Sequence, residues 1–189
     1  LAHRVCHPAA VGIGLPRNPG AGQVTRAELA AAADRAAAEA RIDPRLLRAI
    51  ATAESNWNPR AVSPVGARGI VQIMPATWLE LLGRYGGPND PFNPEQNLRL
   101  GAHYLREIGV YLAKQGIPLT VRRIAAAYNG GMGMVTRRYK EGRDETGWPL
   151  ESRNYAAKVG RLVGSLGGSL SIGALAAAAF VALFVIPRL

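Results

Sequence analysis

Cysteine is almost absent from this chain of 189 residues. Cys6 stands alone, which excludes a framework of internal disulfides and leaves no cysteine pair spaced as metal ligands. His3 and His7 flank Cys6, but a short N-terminal tract of this kind is more typical of an irregular chain end than of a metal site. We therefore expect no metal site in this tract.

Aromatic residues are also scarce, at 6% of the chain. Because sheets are rich in aromatic and β-branched side chains, this shortage favours packed helices over a sheet. Alanine, the best helix former, is frequent. The chain is long enough for one domain with a hydrophobic core, but hardly for two. The composition predicts a single all-α domain with appended ends.

Acidic residues are outnumbered, with 13 Asp and Glu against 23 Lys and Arg, and the net charge is +10. This excess favours an anionic partner, which could be nucleic acid, an anionic membrane surface or the bacterial cell wall. The arginines are scattered, without the compact or aromatic-interleaved basic segment typical of a nucleic-acid groove. We therefore expect no nucleic-acid partner.

Glycine, proline and capping residues divide the chain. Residues 1–23 are rich in Gly and Pro without a sustained period, which indicates an irregular N-terminal arm. Thr25 and Glu28 have the spacing of a capping box and predict the start of an Ala-rich helix. Asp43 and Pro44 predict the N-cap and first turn of the next helix. Further helices are predicted at 75–82, 94–114, 120–128 and 151–166, with breaks at 83–91, 130–133 and 140–149.

Charged residues are missing from residues 162–187. About 20 apolar residues suffice to span a bilayer as a helix, and residues 170–186 are mostly Ala, Leu, Val, Ile and Phe. The alternative is a buried core helix, which would normally keep one polar stripe, whereas residues 173–185 are apolar on every face. The pattern therefore favours a C-terminal hydrophobic helix over residues 167–189 that serves as a transmembrane anchor.

Glu54 lies on the apolar face of the second predicted helix. It shares i, i+3, i+4, i+7 spacing with three apolar residues, Leu47, Ile50 and Ala51. Burial on that face raises the pKa of a carboxyl group, and a general acid near neutral pH needs such a raised pKa. The alternative for an isolated Glu is a helix-end carboxylate that reaches solvent or pairs with Arg48 or Arg60.

The residues that follow Glu54 carry a family resemblance. The chain resembles the soluble lytic transglycosylases (SLT) in ESNWNP at 54–59, AVSP at 61–64 and GARGIVQIMPAT at 66–77. The resemblance continues in order with DPF at 90–92, EQN at 95–97, Gly101, YL at 104–105, AYNGG at 127–131 and ESRNY at 151–155. Several blocks in the right order over residues 43–159 are far more specific than one short motif.

The resemblance implies the goose-type lysozyme-like helical fold for residues 24–166, with Glu54 as the single catalytic acid and base. It also implies a sugar-binding groove lined by Ser63, Gln72, Met74, Tyr128, Asn129 and Tyr155. Glu151 is expected to support this groove. Hydroxyl and amide groups can bind amino sugars, and Tyr and Met can pack on sugar rings. Simpler roles stay open for Ser63 in a turn, Met74 in the core and Tyr155 between helices.

The reaction implied by the resemblance needs one carboxylate. Ordinary glycosidases use two, and no second acid lies in the matched block that follows Glu54. In the lytic transglycosylase scheme, Glu54 protonates the oxygen of the β-1,4 bond between N-acetylmuramic acid (MurNAc) and N-acetylglucosamine (GlcNAc). The N-acetyl group of MurNAc assists, and its C6 hydroxyl closes a 1,6-anhydro ring after giving its proton to Glu54. Neither a metal ion nor an organic cofactor is expected.

Three positions depart from the family's usual pattern. Val71 stands where Met is more frequent, Ser152 where Thr is usual, and Gly131-Met132 replaces a common Gly-Pro. None of these changes removes a proton donor. They therefore bear on substrate preference rather than on the class of reaction.

Two alternative functions share the same substrate. A goose-type lysozyme would hydrolyse the same bond with water, but it would call for a second functional carboxylate. A catalytically silent peptidoglycan-binding module is disfavoured by the intact Glu54, Gln72 and Tyr155. We expect action at the bacterial envelope, with the catalytic domain facing the periplasm or cell wall. The expected settings are wall turnover, an envelope-spanning secretion or conjugation machine, and phage genome entry from a virion.

Overall fold

The computed structural model describes residues 24–166, and this part of the chain is all-α, as predicted. Its helices are α1 (Arg26–Ala40), α2 (Pro44–Ser55), α3 (Pro75–Tyr85), α4 (Pro94–Lys114), α5 (Val121–Gly130), α6 (Met132–Lys140) and α7 (Leu150–Leu166). None of these helices is long and apolar enough to cross a membrane. The predicted N-terminal arm at 1–23 and the predicted membrane anchor at 167–189 lie outside the described residues.

The first two helices begin at the residues that the sequence predicts. Thr25 accepts a hydrogen bond from the Glu28 backbone N–H, and the Glu28 carboxylate accepts one from the Thr25 backbone, which completes the capping box. Asp43 caps α2 by accepting from the Arg45 backbone N–H, and Pro44 occupies the first turn. Local sequence therefore fixes the start of α2, which places Glu54 in its last turn.

Helix α6 is missing from the sequence-based prediction, which puts breaks at 130–133 and 140–149 and no helix between them. The break is confined to Gly131, with φ of 87°. The helix resumes because Val135 is fully buried and Tyr139 lies under the Arg123 guanidinium, 5.3 Å from the ring centroid. Two glycines within three residues lower helix propensity, and the stabilising contacts come from elsewhere in the fold. The sequence pattern alone therefore cannot predict this helix.

The core is built around α2, which packs against α7, α1 and α4. Helix α5 packs against α7, α6 and α4. The largest fully buried side chains include Leu46, Leu47, Ile50, Ile70, Leu98, Leu105, Ile108 and Ile124. Each such side chain contributes roughly 1.5–3 kcal/mol through removal of apolar surface from water. The last turn of α2 is therefore held in place by neighbouring helices.

Residues 57–74, here called the signature loop, fold back across the end of α2. The Ser55 hydroxyl donates to the Ile70 carbonyl at 2.7 Å. Within the loop, Arg68 forms antiparallel β-bridges with Val62 and with Ile73. These contacts hold the segment that carries most of the sequence signature against the helix that carries Glu54.

Candidate active site

Glu54 is a buried acid, with 5% of its surface exposed. Burial raises the pKa of its carboxyl to about 8, although a hydrogen bond from Tyr155 and the charge of Lys158 oppose that rise. The alternative partner Arg48 pairs with Asp34 instead. Glu54 therefore holds a proton near neutral pH and neither reaches solvent nor pairs with Arg48.

Two tyrosines face this acid. The Tyr155 hydroxyl, on α7, donates to Oε1 of Glu54 at 2.5 Å. Burial and the nearby Glu54 hold the pKa of both Tyr155 and Tyr128 well above the usual value. Both hydroxyls therefore stay protonated, and Tyr155 donates a hydrogen bond to the acid in either of its protonation states. Tyr155 accordingly does more than pack between helices.

Asn97 fixes the signature loop and is a functional residue that was not predicted from the sequence. Its side chain is fully buried on α4. Its Oδ1 accepts from the Val71 backbone N–H at 2.9 Å, and its Nδ2 donates to the carbonyls of Arg68 and Pro91 at 3.1 and 3.0 Å. The Tyr128 hydroxyl donates to the Val71 carbonyl. The position of Asn97 in the EQN block was the one available sign of this role.

Gln72 adopts a left-handed backbone conformation, with φ of 51°, and is 3% exposed. Its side-chain nitrogen donates to the carbonyls of Ala61 and Gly69 at 3.1 and 2.9 Å. Because both amide hydrogens are engaged within the loop, the amide oxygen is the atom with which Gln72 can contact a ligand.

The structure gives local contacts or positions for the other predicted groove residues, Ser63, Met74 and Asn129. Ser63 closes a turn, since its hydroxyl accepts from the Ala67 backbone N–H at 3.0 Å. Met74 is half-buried at the N-cap of α3. Asn129 is buried on α5 and accepts from the Ser152 hydroxyl at 2.9 Å. The turn role of Ser63 is thus observed, and sugar contacts by Ser63, Met74 and Asn129 stay predictions.

The close approach of α5 to α7 brings the two tyrosines to the same acid. A Cβ atom at Gly130 would lie 2.6 Å from the Ser152 hydroxyl and 2.7 Å from the end of the Met134 side chain, so a larger residue here would displace these side chains. Glu151 is exposed in the first turn of α7, one turn before Tyr155. The supporting role of Glu151 also stays a prediction.

The arrangement can deliver and take back one proton. Burial raises the pKa of Glu54 enough to keep the acid protonated near neutral pH, and Tyr155 and Lys158 favour the carboxylate that remains once the proton has left. Across residues 24–166, no group of three or more His, Cys, Asp or Glu side chains is placed to hold a metal ion. The residues present fit general acid–base chemistry by one buried carboxyl.

Comparison with known proteins finds relatives that are named as transglycosylases. A transglycosylase of Enterobacteria phage PRD1 is 33% identical over 134 residues, which are 71% of this chain and 42% of the relative. The soluble lytic murein transglycosylase of Salmonella typhimurium is 39% identical over 92 residues, which cover 46% of this chain and 14% of the relative. The chain thus spans less than half the length of either relative.

The fold has solved counterparts. The crystal structure of the 70-kDa soluble lytic transglycosylase from Escherichia coli matches with a TM-score of 0.60 at 30% identity, covering 70% of this chain and 23% of that one. This likeness confirms the predicted lysozyme-like helical fold. The model of the Transglycosylase SLT domain matches residues 31–150, more than half of the chain. The chain therefore belongs to the Transglycosylase SLT domain family.

Proposed function

We propose that this chain is a peptidoglycan lytic transglycosylase. It cleaves the β-1,4 bond between MurNAc and GlcNAc without water and leaves a 1,6-anhydro-MurNAc end. The observation that carries the proposal is the buried carboxyl of Glu54, protonated near neutral pH and hydrogen-bonded by Tyr155. The relatives named as murein transglycosylases support the same substrate class.

In this mechanism Glu54 acts twice. It first gives its proton to the glycosidic oxygen, so that the bond to the anomeric carbon breaks and GlcNAc leaves with a 4-hydroxyl. The resulting carboxylate then takes the proton of the MurNAc C6 hydroxyl, whose oxygen bonds to the anomeric carbon. Tyr155 donates to Glu54 in both steps and keeps the carboxyl oriented. The carboxyl is restored at the end, so no net proton is consumed.

The groove beside Glu54 is proposed to use the residues named from the resemblance. Gln72 offers its amide oxygen to an N–H or hydroxyl group of an amino sugar, because its two hydrogens are engaged by the loop. Met74, half-buried at the end of the signature loop, offers a thioether surface for packing on a sugar ring. The net charge of +10 favours approach to an anionic wall.

The identity of the product tests this proposal. We expect digestion of purified peptidoglycan to give muropeptides with anhydro-MurNAc ends, because the C6 hydroxyl rather than water attacks the anomeric carbon. Mass spectrometry distinguishes these ends from reducing ends by the mass of one water. Reducing ends would indicate a lysozyme-type hydrolase, and the absence of any product would indicate a silent binding module.

The biological setting is proposed to be the bacterial envelope. Relatives include membrane-bound lytic murein transglycosylases as well as the phage enzyme. These relatives are compatible with wall turnover, with an envelope-spanning secretion or conjugation machine, and with phage genome entry. A common requirement of these settings is the local opening of the glycan mesh.

We also propose that residues 167–189 anchor the chain in the membrane, because residues 162–187 hold no charged side chain. Deleting 167–189 should move the protein from the membrane fraction to the soluble fraction, since the described helices include none able to span a bilayer. Fractionation of cells that express the full and the truncated chain measures this. A full chain found in the soluble fraction, or a truncated chain that stays with the membrane, would contradict the anchor.

A further inference from the structure

The helix that carries Glu54 ends without a basic residue of its own. The last turn of α2 holds no Lys, Arg or His. The free carbonyls at a helix C-terminus carry partial negative charge, which disfavours a carboxylate in the last turn. Glu54 must nevertheless become a carboxylate during the proposed reaction. A cation supplied by another part of the fold would stabilise that charge.

Helix α7 supplies this cation through Lys158. The Lys158 ammonium donates to the carbonyl of Ala53 at 2.9 Å, and Ala53 directly precedes Glu54. Lys158 follows Tyr155 by three residues, so that both side chains point from one face of α7 to the end of α2. The Lys158 side chain is exposed, whereas Glu54 is buried. The charge therefore lies at the surface, on the carbonyl of the residue next to the acid.

We propose that Lys158 is a positioning residue, whose ammonium caps the end of α2 and stabilises the carboxylate that Glu54 becomes after protonating the glycosidic oxygen. The inference deepens the proposed function and rests on it for its catalytic meaning. In the first step, the proton moves from Glu54 to the leaving oxygen and negative charge appears on the carboxylate. In the second step, the C6 hydroxyl returns a proton and the charge disappears. Lys158 favours the charged form between these two steps.

The other polar groups near the end of α2 are neutral hydroxyls or an exposed acid, so none of those named here supplies a positive charge to Glu54. Tyr155 from α7 and Tyr128 from α5 face the acid as neutral hydroxyls. From α4, Tyr104 packs against Tyr128 with ring centroids 5.4 Å apart. Glu151 lies on α7 one turn before Tyr155 and is exposed.

A second cation lies at the same helix end. Arg26, at the start of α1, donates to the Asn56 carbonyl at 3.2 Å and lies over the Trp57 ring. Of the two cations, Lys158 binds the carbonyl next to Glu54 and lowers the pKa of that acid, whereas Arg26 binds a carbonyl two residues beyond it. Arg26→Met is therefore a matched control, because this substitution also removes a cation and a carbonyl contact from the end of α2.

The test is direct titration of the Glu54 carboxyl by ¹³C NMR on protein labelled at the Glu side-chain carboxyl. The Glu54 signal is the one absent from Glu54→Gln. In Lys158→Met we expect its titration midpoint to move to higher pH by roughly half a pH unit or more, since loss of a nearby cation disfavours the carboxylate. Lys158→Arg should keep the wild-type midpoint, and so should Arg26→Met. Circular dichroism melts establish that each variant is folded.

Lys158→Gln separates charge from hydrogen bonding. Its amide keeps an N–H donor but carries no charge, so we expect it to titrate as Lys158→Met does. Added salt should also raise the midpoint in the wild-type chain, because an exposed charge is screened, and have less effect in Lys158→Met. A wild-type titration midpoint in Lys158→Met would contradict the electrostatic role of Lys158. So would a wild-type midpoint in Lys158→Gln with a shifted one in Lys158→Met, because the hydrogen bond rather than the charge would then set the midpoint.

The kinetic readout separates this inference from the proposed function. We expect the alkaline limb of kcat/KM to follow the NMR midpoint to higher pH in Lys158→Met, with a kcat several-fold lower because the acid is weaker. If the wild-type chain makes no product but the NMR midpoint still shifts in Lys158→Met, Lys158 keeps its role in lowering the pKa of Glu54. The proposed transglycosylase function would then be wrong. If the wild-type chain makes anhydro products but the midpoint does not shift in Lys158→Met, only the proposed role of Lys158 would be wrong.

Discussion

Replacing Glu54 with Gln is expected to reduce the release of anhydro-muropeptides by about 10³-fold or more, the scale of a lost general acid that also serves as the base. Gln has nearly the same shape, and its amide oxygen can still accept from Tyr155. It has no acidic proton for the glycosidic oxygen and cannot take the C6 hydroxyl proton. The rate of product release, followed by mass spectrometry, measures the loss.

Two controls assign this loss to chemistry. Glu95→Gln makes the same change at an exposed Glu that pairs with Arg35, and it should leave the rate unchanged. Co-sedimentation with insoluble peptidoglycan should show that Glu54→Gln still binds the wall, because Gln is isosteric with Glu at this buried position. A Glu54→Gln protein that keeps a tenth or more of the wild-type rate would assign the acid to another residue.

The second large effect is expected at Gly69 in the signature loop. Gly69 has φ of 78°, which costs an L-residue about 1–2 kcal/mol. An added Cβ would also lie 2.3 Å from Nδ2 of Asn97 and 2.4 Å from the Pro91 carbonyl oxygen. Relief of that clash breaks hydrogen bonds of Asn97 worth about 1 kcal/mol each. We expect Gly69→Ala to lower the free energy of unfolding by about 3 kcal/mol or more in urea denaturation.

Gly66→Ala is the matched control in the same loop. Its φ of 89° gives a similar strain, but no heavy atom lies within 4 Å of the added Cβ. We expect a loss of only about 1–2 kcal/mol at Gly66, from the backbone term. Gly69→Ala should also lose most of its activity, since the loop must shift beside the acid. Equal losses at the two positions would mean that the Asn97 contact does not hold the loop.

Local sequence was sufficient to predict the helix that carries the acid. Asp43 and Pro44 mark its start, the i, i+3, i+4, i+7 spacing marks its buried face, and Glu54 falls on that face. The buried position and raised pKa of the acid follow from that spacing. The spacing also left open a carboxylate that reaches solvent or pairs with Arg48 or Arg60. The structure instead buries Glu54, and Arg48 pairs with Asp34.

Residues that act across long stretches of chain could not be derived in this way. Tyr155 lies 101 positions from Glu54, and Asn97 lies 26 positions from Val71. Periodicity describes one helix at a time, so it cannot say which helices meet. The resemblance supplied Tyr155 because the family block names it. It supplied neither the loop contacts of Asn97 nor the contact of Lys158 with Ala53.

The two side-chain hydrogen bonds to the Val71 backbone have a thermodynamic consequence for substrate binding. The Val71 N–H is bound by Asn97 and its carbonyl by Tyr128, while the neighbouring Ile70 carbonyl is bound by Ser55. The loop therefore has few backbone conformations to lose when a sugar arrives. Preorganisation of this kind leaves more of the contact energy for affinity and orientation, because little is spent on ordering the protein. A glycan strand thus meets a surface whose shape is set before binding.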